Sequence, residues 1–277
     1  MTRSMARNPA LIIGLVLAAA VGAVALVSLV WTPYDPLKMA IVERLRPPGA
    51  GHPFGTDQFG RDVASLLMRG AANSLVIGFA AVGAGLSVGV GLGTLAAARA
   101  GTLLDDIVMR AMDFTFAFPA VLTAIMLIEL IGPGTGDAIL AIAIFNVPVF
   151  ARLSRASALS VWTTDYAAAA RAAGKTRTEI TFSHVLPNIA GVIVVQASVQ
   201  FALAILAEAG LSYLGVGTQP PNPSWGRMLN DAQTFLKVQP LLAVFPGLAI
   251  AVTVFAFNAL GDGLSHLIDP KQRNDDR

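Results

Sequence analysis

From Ala10 to Trp31 the chain carries no charged residue, and runs of this kind constrain its fold more than any other feature. A helix crossing a bilayer needs roughly 20 mostly apolar residues to span about 30 Å of hydrocarbon. Backbone polar groups in lipid must also be satisfied within the segment. Ala10–Trp31 meets that need. Its apolar core exceeds the about 7–15 residues of a secretory signal, so it is expected to remain as a membrane helix. Gly70–Ala98, between Arg69 and Arg99, is a second run. Phe114–Ile128 is a third, extending back through Met109 and forward to Ile131. Ala138–Ala151 is short, and reaches Val161 if Arg152 and Arg155 snorkel to the interface. Val185–Ala207 and Val238–Gly261 complete a set of six. Composition agrees, with 55% hydrophobic and 13% charged residues, against about 25% charged in a soluble domain. The expectation is an all-α integral membrane protein with six spans. The absence of cysteine excludes disulfides and thiolate metal or redox chemistry, and a net charge of +2 is too small to argue for nucleic acid.

Charge placement orients the spans. Six crossings put both termini on one side. That side holds Arg3, Arg7, Arg99, Arg110, Arg152, Arg155, Arg171, Lys175, Arg177, Lys271, Arg273 and Arg277, which is 12 of the 19 Lys and Arg residues. The positive-inside rule assigns it to the cytoplasm. The regions are then a cytoplasmic N-terminus (1–9), a first span (10–31), an extracytoplasmic loop with an amphipathic helix (32–69), a transmembrane core (70–268) and a cytoplasmic tail (269–277). Within the second span Ala81, Gly85, Gly89, Gly93 and Ala97 recur every four residues. Such a stripe lets another helix's backbone approach closely.

Two enzyme readings fail on chemistry. Gly85-Leu86-Ser87-Val88-Gly89 fits G-x-S-x-G, but inside a helix rather than at a strand-to-helix elbow. An intramembrane nucleophile needs a base within hydrogen-bond reach. His52, His184 and His266 lie in an outer loop, the cytoplasmic stretch and the inner end of the last span. Ser87 is 12 residues from Arg99, roughly 18 Å into the membrane. Gly174-Lys175-Thr176 resembles the end of a P-loop, but the first glycine of G-x-x-x-x-G-K-[ST] falls at Ala169. The alanine-rich run before it is a strong helix former.

The stretch Tyr166–Asn188 reads instead as a docking element. Asp165 opens a helix whose positive N-terminal end favours an acid. Tyr166, Ala169, Ala170 and Ala173 share one face at helical spacing. Gly174 suits the left-handed residue that ends it. Thr176 with Glu179 forms a capping box for a second helix, and Pro187 falls in the first turn of the fifth span.

Helix, glycine and helix followed by His184-Val185-Leu186-Pro187 resembles the coupling loop of ABC-transporter permease subunits. "HPFGTDQFGRD" (52–62), "MRAMDFTFAFPAVL" (109–122), "AEAGLSYLGVGTQPPNPSWGRML" (207–229) and "PGLAIAVTVFAFNALGDGL" (246–264) are similar to the C-type permeases of dipeptide and oligopeptide importers, whose relatives also carry nickel and opines. The resemblance runs from about residue 30 to the C-terminus. It implies a type I importer permease fold in a bacterial inner membrane and a peptide cargo, with nickel, opines or another small solute as alternatives. It also implies a homologous B-type permease partner, two ATP-binding subunits or one fused ATPase carrying ATP and magnesium, and an extracytoplasmic solute-binding protein. No cofactor is expected on this chain. The coupling residues it implies are Tyr166, Ala168, Ala169, Ala170, Arg171, Ala173, Gly174, Thr176, Glu179, His184 and Pro187. The chain departs from the family at Ala168, where a glutamate is usual. Glu179 and Arg171 are candidates to replace its polar contact.

On the outer side Thr56 or Asp57 is expected to cap a short interfacial helix. It has Phe59, Val63, Leu66 and Leu67 on one face and Arg61, Asp62, Ser65 and Arg69 on the other. This helix serves either as an anchor or, through Asp57, Arg61 and Asp62, as a contact for the binding protein. The loop Gly217–Leu229, stiffened by proline, is either an outer gate or a rigid turn, with Trp225 at the membrane interface. Polar residues at membrane depth usually face the bundle or a water-filled path. Gln196 and Gln200 lead the pathway candidates, followed by Asn146 and Asn258; interhelical hydrogen bonding is the alternative role. A passive channel is the competing class, but the sequence has no ring of charges for ion selectivity and a channel has no use for a capped docking loop.

Overall fold

The computed structural model describes residues 8–268. Arg3, Arg7, Lys271, Arg273, Arg277 and both expected terminal tails lie outside the described residues, apart from Asn8 and Pro9. The described chain is almost entirely helical: α1 (Pro9–Val27), α2 (Val63–Ala98), α3 (Leu103–Ala117), α4 (Ala120–Ile131), α5 (Thr135–Trp162), α6 (Asp165–Ala172), α7 (Arg177–Ile180), α8 (Leu186–Tyr213), α9 (Trp225–Ala232) and α10 (Leu241–Ile268). A π-helical turn, Thr181–Val185, joins α7 to α8. Among the described residues the one β-type pairing is the isolated bridge between Thr56 and Asp62.

Five helical segments are long and apolar enough to cross a membrane, and α3 with α4 makes a sixth as a pair bent by 91°. The bend corrects the expectation of one straight third span. It sits at Phe118–Pro119, inside the continuous apolar run. Proline lacks the N–H a helix needs and pushes the preceding residue towards extended backbone. Phe118 accordingly takes φ −97, ψ 138. Two further boundaries differ from expectation. The helix of the outer loop is not separate from the second span. Asp62, rather than Thr56 or Asp57, caps it by accepting from the Ser65 N–H at 2.8 Å, and one 36-residue helix follows. The second helix of the Tyr166–Asn188 stretch, α7, is only four residues long and runs through the π turn into α8.

Close backbone contact organises the bundle. All five residues of the Ala81–Ala97 stripe are buried, and its glycines face α5. A Cβ on Gly89 would stand 2.6 Å from the Val147 carbonyl oxygen and 2.7 Å from the Phe150 Cβ. Gly85 and Gly93 meet α5 as tightly, at Ala143–Asn146 and Ala151–Ser154. The same device seats α1 on α10. A Cβ on Gly14 would meet the Leu260 nitrogen at 2.6 Å, and one on Gly263 would meet the Leu11 Cα at 2.6 Å. Phe79, Phe201 and Phe257 join α2, α8 and α10, with ring centroids 4.2 Å (Phe79–Phe201) and 4.0 Å (Phe201–Phe257) apart. The arginines of the fourth span do not simply snorkel. Arg155 makes two bonds to Asp105, at 2.6 and 2.7 Å, and Arg152 pairs with Asp113, so both clamp α3 to α5.

Candidate functional site

Helix α6 stands between the C-terminal end of α5 and the N-terminal end of α8 in the chain. It ends in a complete Schellman turn. The Gly174 N–H donates to the Arg171 carbonyl at 3.0 Å, the Lys175 N–H donates to the Ala170 carbonyl at 3.1 Å, and Gly174 has φ +84. Thr176 and Glu179 then form both halves of a capping box. The Glu179 N–H donates to the Thr176 hydroxyl oxygen at 3.3 Å, and the Thr176 N–H donates to the Glu179 carboxylate at 2.6 Å. Pro187 lies in the first turn of α8. Residues 169–173 continue the helix and its C-cap, so Gly174-Lys175-Thr176 closes a turn rather than a glycine-rich phosphate cradle. In α2 the Ser87 hydroxyl donates to the Gly83 carbonyl at 2.7 Å.

The outward face of α6 differs from the expected one by a single residue. Ala170 is buried beside Trp162, Ile180 and Val185, and Ala167 is fully buried. Tyr166, Ala168, Ala169, Arg171, Ala172 and Ala173 remain exposed. A run of alanines offers several equivalent apolar faces, and no polar residue marks which one turns outward. Tyr166 packs edge-on to His184, ring centroids 6.1 Å apart. Neither candidate to replace the missing glutamate is idle. Glu179 closes its own capping box, and Arg171 donates to the Trp162 carbonyl at 3.2 Å. Arg177 donates to the Ala98 carbonyl at 2.7 Å, tying the loop to the C-terminal end of α2. That end carries the negative pole of the helix dipole, where a cation is favoured.

A cleft of ≈ 430 Å³ opens between α4, α5 and α8. Its walls are apolar, including Val121, Ile142, Phe145 and Leu203, and its two polar side chains are Asn146 and Gln200. The Asn146 amide donates to the Ile142 carbonyl at 2.9 Å. Of the four pathway candidates, the structure brings these two together. Gln196 is half-buried and Asn258 is exposed, and neither lines the cleft.

The loop between α1 and α2 packs with its acids turned inward. Asp57 and Asp62 are buried, which corrects the expectation that their charges are exposed. Asp57 accepts from the Phe59 and Arg61 N–H groups, both at 2.8 Å, and from the Arg61 guanidinium at 2.6 Å. Asp62 lies 2.9 Å from the His52 Nδ1. Arg61 and Arg227 flank Asp231 at 3.7 and 2.9 Å. Burial pushes the Asp231 carboxyl up from its ordinary range, against the pull of both arginines. Trp225 packs inside the protein rather than on its surface. It is 2% exposed, and its indole N–H donates to the Leu67 carbonyl at 3.1 Å.

Close by lies Glu208, which is not among the candidates that the sequence marks. Glu208 is fully buried. It accepts from the hydroxyls of Ser212 at 2.7 Å, Thr218 at 3.2 Å and Ser74 at 3.3 Å. Ser74 also accepts from the Trp225 N–H at 3.3 Å. One carboxylate thus ties α8, the following loop and α2 together. The hydroxyl-bearing Ser212 and Thr218, four and ten residues on, were the available signal.

Residues 89–274 match the family described as binding-protein-dependent transport system inner membrane component. The chain belongs to that family. It is 39% identical to a dipeptide transport system permease protein of Alkalihalophilus pseudofirmus, over 98% of this chain and 89% of the relative. It is 41% identical to a glutathione transport system permease protein of Pectobacterium atrosepticum, over 87% of this chain and 80% of the relative. A di/tripeptide transport system permease protein of Pseudomonas aeruginosa is 40% identical over 87% of this chain and 82% of its own length. The fold is similar to that of a chain in inward-facing structures of the MetNI methionine ABC transporter. The TM-score is 0.62 and identity 18%, covering 74% of this chain and 96% of that one. The family member described here is therefore an all-α, multi-pass inner-membrane permease component of an ABC importer, with the type I fold.

Proposed function

We propose that this permease forms, with a homologous partner, the path for short peptides released by an extracytoplasmic binding protein, while separate subunits hydrolyse the ATP. The carrying observation is α6, an exposed, small-residue helix fixed at one end by a Schellman turn and at the other by its link to α5. Such an element suits a groove on an ATPase and has no use in a passive pore. Both termini and α6 then face the cytoplasm, and the chain itself needs no nucleotide site. Asn146 and Gln200 fit the cargo. Side-chain amides donate and accept, as peptide bonds do, while the apolar walls tolerate varied side chains. The three relatives named above, for dipeptides, di/tripeptides and glutathione, support the peptide class.

Gly174→Val tests this reading. A left-handed backbone costs an L-residue about 1–2 kcal/mol, small enough for the complex to assemble. A Cβ at Gly174 meets nothing within 4 Å, so the strain is confined to the backbone and redirects α6 relative to α7. Transport is expected to fall, and ATP turnover is expected to persist without stimulation by the loaded binding protein. Ala168→Glu, at an exposed site, is expected to retain transport. Normal transport and stimulation in Gly174→Val would refute the docking role.

A further inference from the structure

A second cavity, ≈ 410 Å³, lies between the cytoplasmic half of α2 and the α7–α8 junction. Leu86, Val90, Leu95, Phe182 and Leu186 make its walls apolar, and Arg99 and Arg177 stand at one end. Leu86 and Arg99 are 13 residues apart along one helix, roughly 20 Å. That exceeds one leaflet, half of the about 30 Å hydrocarbon core. Gly91 leaves the groove floor open, since a Cβ there would meet nothing within 4 Å. Neither arginine is in an ion pair among the described residues. Of the acids near in the chain, Asp105 is paired with Arg155 and Glu179 accepts from Thr176, while Asp106 is in no ion pair among the described residues. A mostly apolar slot of leaflet depth, with two arginines at one end that have no carboxylate partner among the described residues, has the chemistry of one ligand.

We infer that this groove holds an anionic phospholipid of the cytoplasmic leaflet, its acyl chain against Leu86, Val90 and Leu186 and its phosphate at Arg99 and Arg177. Anionic lipids populate that leaflet, and each arginine near the surface favours them about fivefold. The lipid would bridge α2 to the segment carrying α6, alongside the bond from Arg177 to Ala98. The site depends on the cytoplasmic placement of α6 but not on the cargo, so peptide transport need not be known to test it.

The test uses the assembled transporter in nanodiscs containing phosphatidylglycerol and phosphatidylcholine. Retained lipid is counted by native mass spectrometry, with p-benzoylphenylalanine placed at Phe182 for photocrosslinking. Wild type is expected to retain phosphatidylglycerol selectively, and the transporter carrying p-benzoylphenylalanine at Phe182 to crosslink to phospholipid. Arg99→Gln should lose about fivefold of that selectivity, as one surface cation predicts. Gly91→Phe, which fills the groove, should abolish retention, whereas Gly91→Ala should preserve it. Crosslinking to a protein chain, equal retention in Gly91→Phe, or displacement of the lipid by inorganic phosphate would each overturn the inference.

Discussion

Two alanine substitutions in one helix are expected to act with opposite sign. Gly83 and Gly89 both lie inside α2. A Cβ at Gly83 meets nothing within 4 Å, whereas one at Gly89 meets the Val147 oxygen at 2.6 Å, the Phe150 Cβ at 2.7 Å and the Ala151 nitrogen at 3.1 Å. Non-bonded carbons rest about 3.5–4.0 Å apart, so α5 must withdraw by about 1 Å. The obstructing atoms are backbone, or bonded to it, and no rotamer change relieves them. Overpacking of this kind costs about 1–3 kcal/mol. Replacing a helical glycine with alanine returns about 1 kcal/mol at either site. Gly83→Ala is therefore expected to stabilise the protein by up to about 1 kcal/mol, and Gly89→Ala to be neutral or destabilising by up to about 2 kcal/mol. Subtracting the two cancels the helix contribution and leaves the cost of the α2–α5 contact. The assay is denaturant unfolding of the purified chain in detergent, followed by helical circular dichroism. Equal shifts for both variants would refute the close approach of α5 to the glycine stripe.

Glu208→Ala strands three hydroxyl groups, and a buried polar group left without a partner costs about 1–3 kcal/mol. Expect a lower thermal midpoint for the complex and faster proteolysis of the 214–224 loop, with Glu208→Gln much nearer to wild type because it keeps an acceptor oxygen. Identical behaviour of the two variants would show that the hydroxyl network does not hold this loop. Gln200→Leu removes one of the cleft's two polar side chains and is expected to slow peptide uptake several-fold while leaving stimulation of ATP turnover by the loaded binding protein intact. Loss of that stimulation would place Gln200 in coupling rather than in the path.

How much of this was legible depended on the distance over which each residue acts. The Schellman turn and the capping box need particular residues at fixed short offsets, so Gly174, Thr176 and Glu179 could be read from the chain. The glycine stripe was legible as a packing face, but not its partner, because nothing in Gly85, Gly89 or Gly93 names α5. The bend at Pro119 was overlooked because hydropathy runs unbroken through it. Asp57 and Asp62 looked like exposed charges although Arg61 and His52, which pair with them, lie within ten residues; what the pattern does not report is that the loop turns these pairs inward, where Arg61 also reaches Asp231. Glu208 is the extreme case. Its bond to Ser74 spans 134 residues, and no local pattern reports it.

Chain order adds a mechanical consequence to these contacts. Only Thr163 and Thr164 separate α5 from α6, and α7 runs on into α8 through the π turn. Thus α6 is the covalent link between two of the helices that line the cleft. Asn146 lies 16 residues from Trp162 and Gln200 lies 14 residues from Leu186, roughly 24 and 21 Å along their helices, with Pro148 interrupting the hydrogen bonding of α5 two residues past Asn146. On the proposed function, a displacement imposed on α6 by an ATPase would reach both polar residues of the cleft through α5 and α8. Gly174 makes the transfer directional, because its turn fixes the angle between α6 and the start of α8. The Glu208 network acts at the opposite end, where it binds the outer part of α8 to α2 and limits how far α8 can follow. On that reading, motion pushed in at the α6 end and restrained at the Glu208 end would become tilt rather than translation. Tilt of α5 against α8 changes the width of the cleft that lies between them.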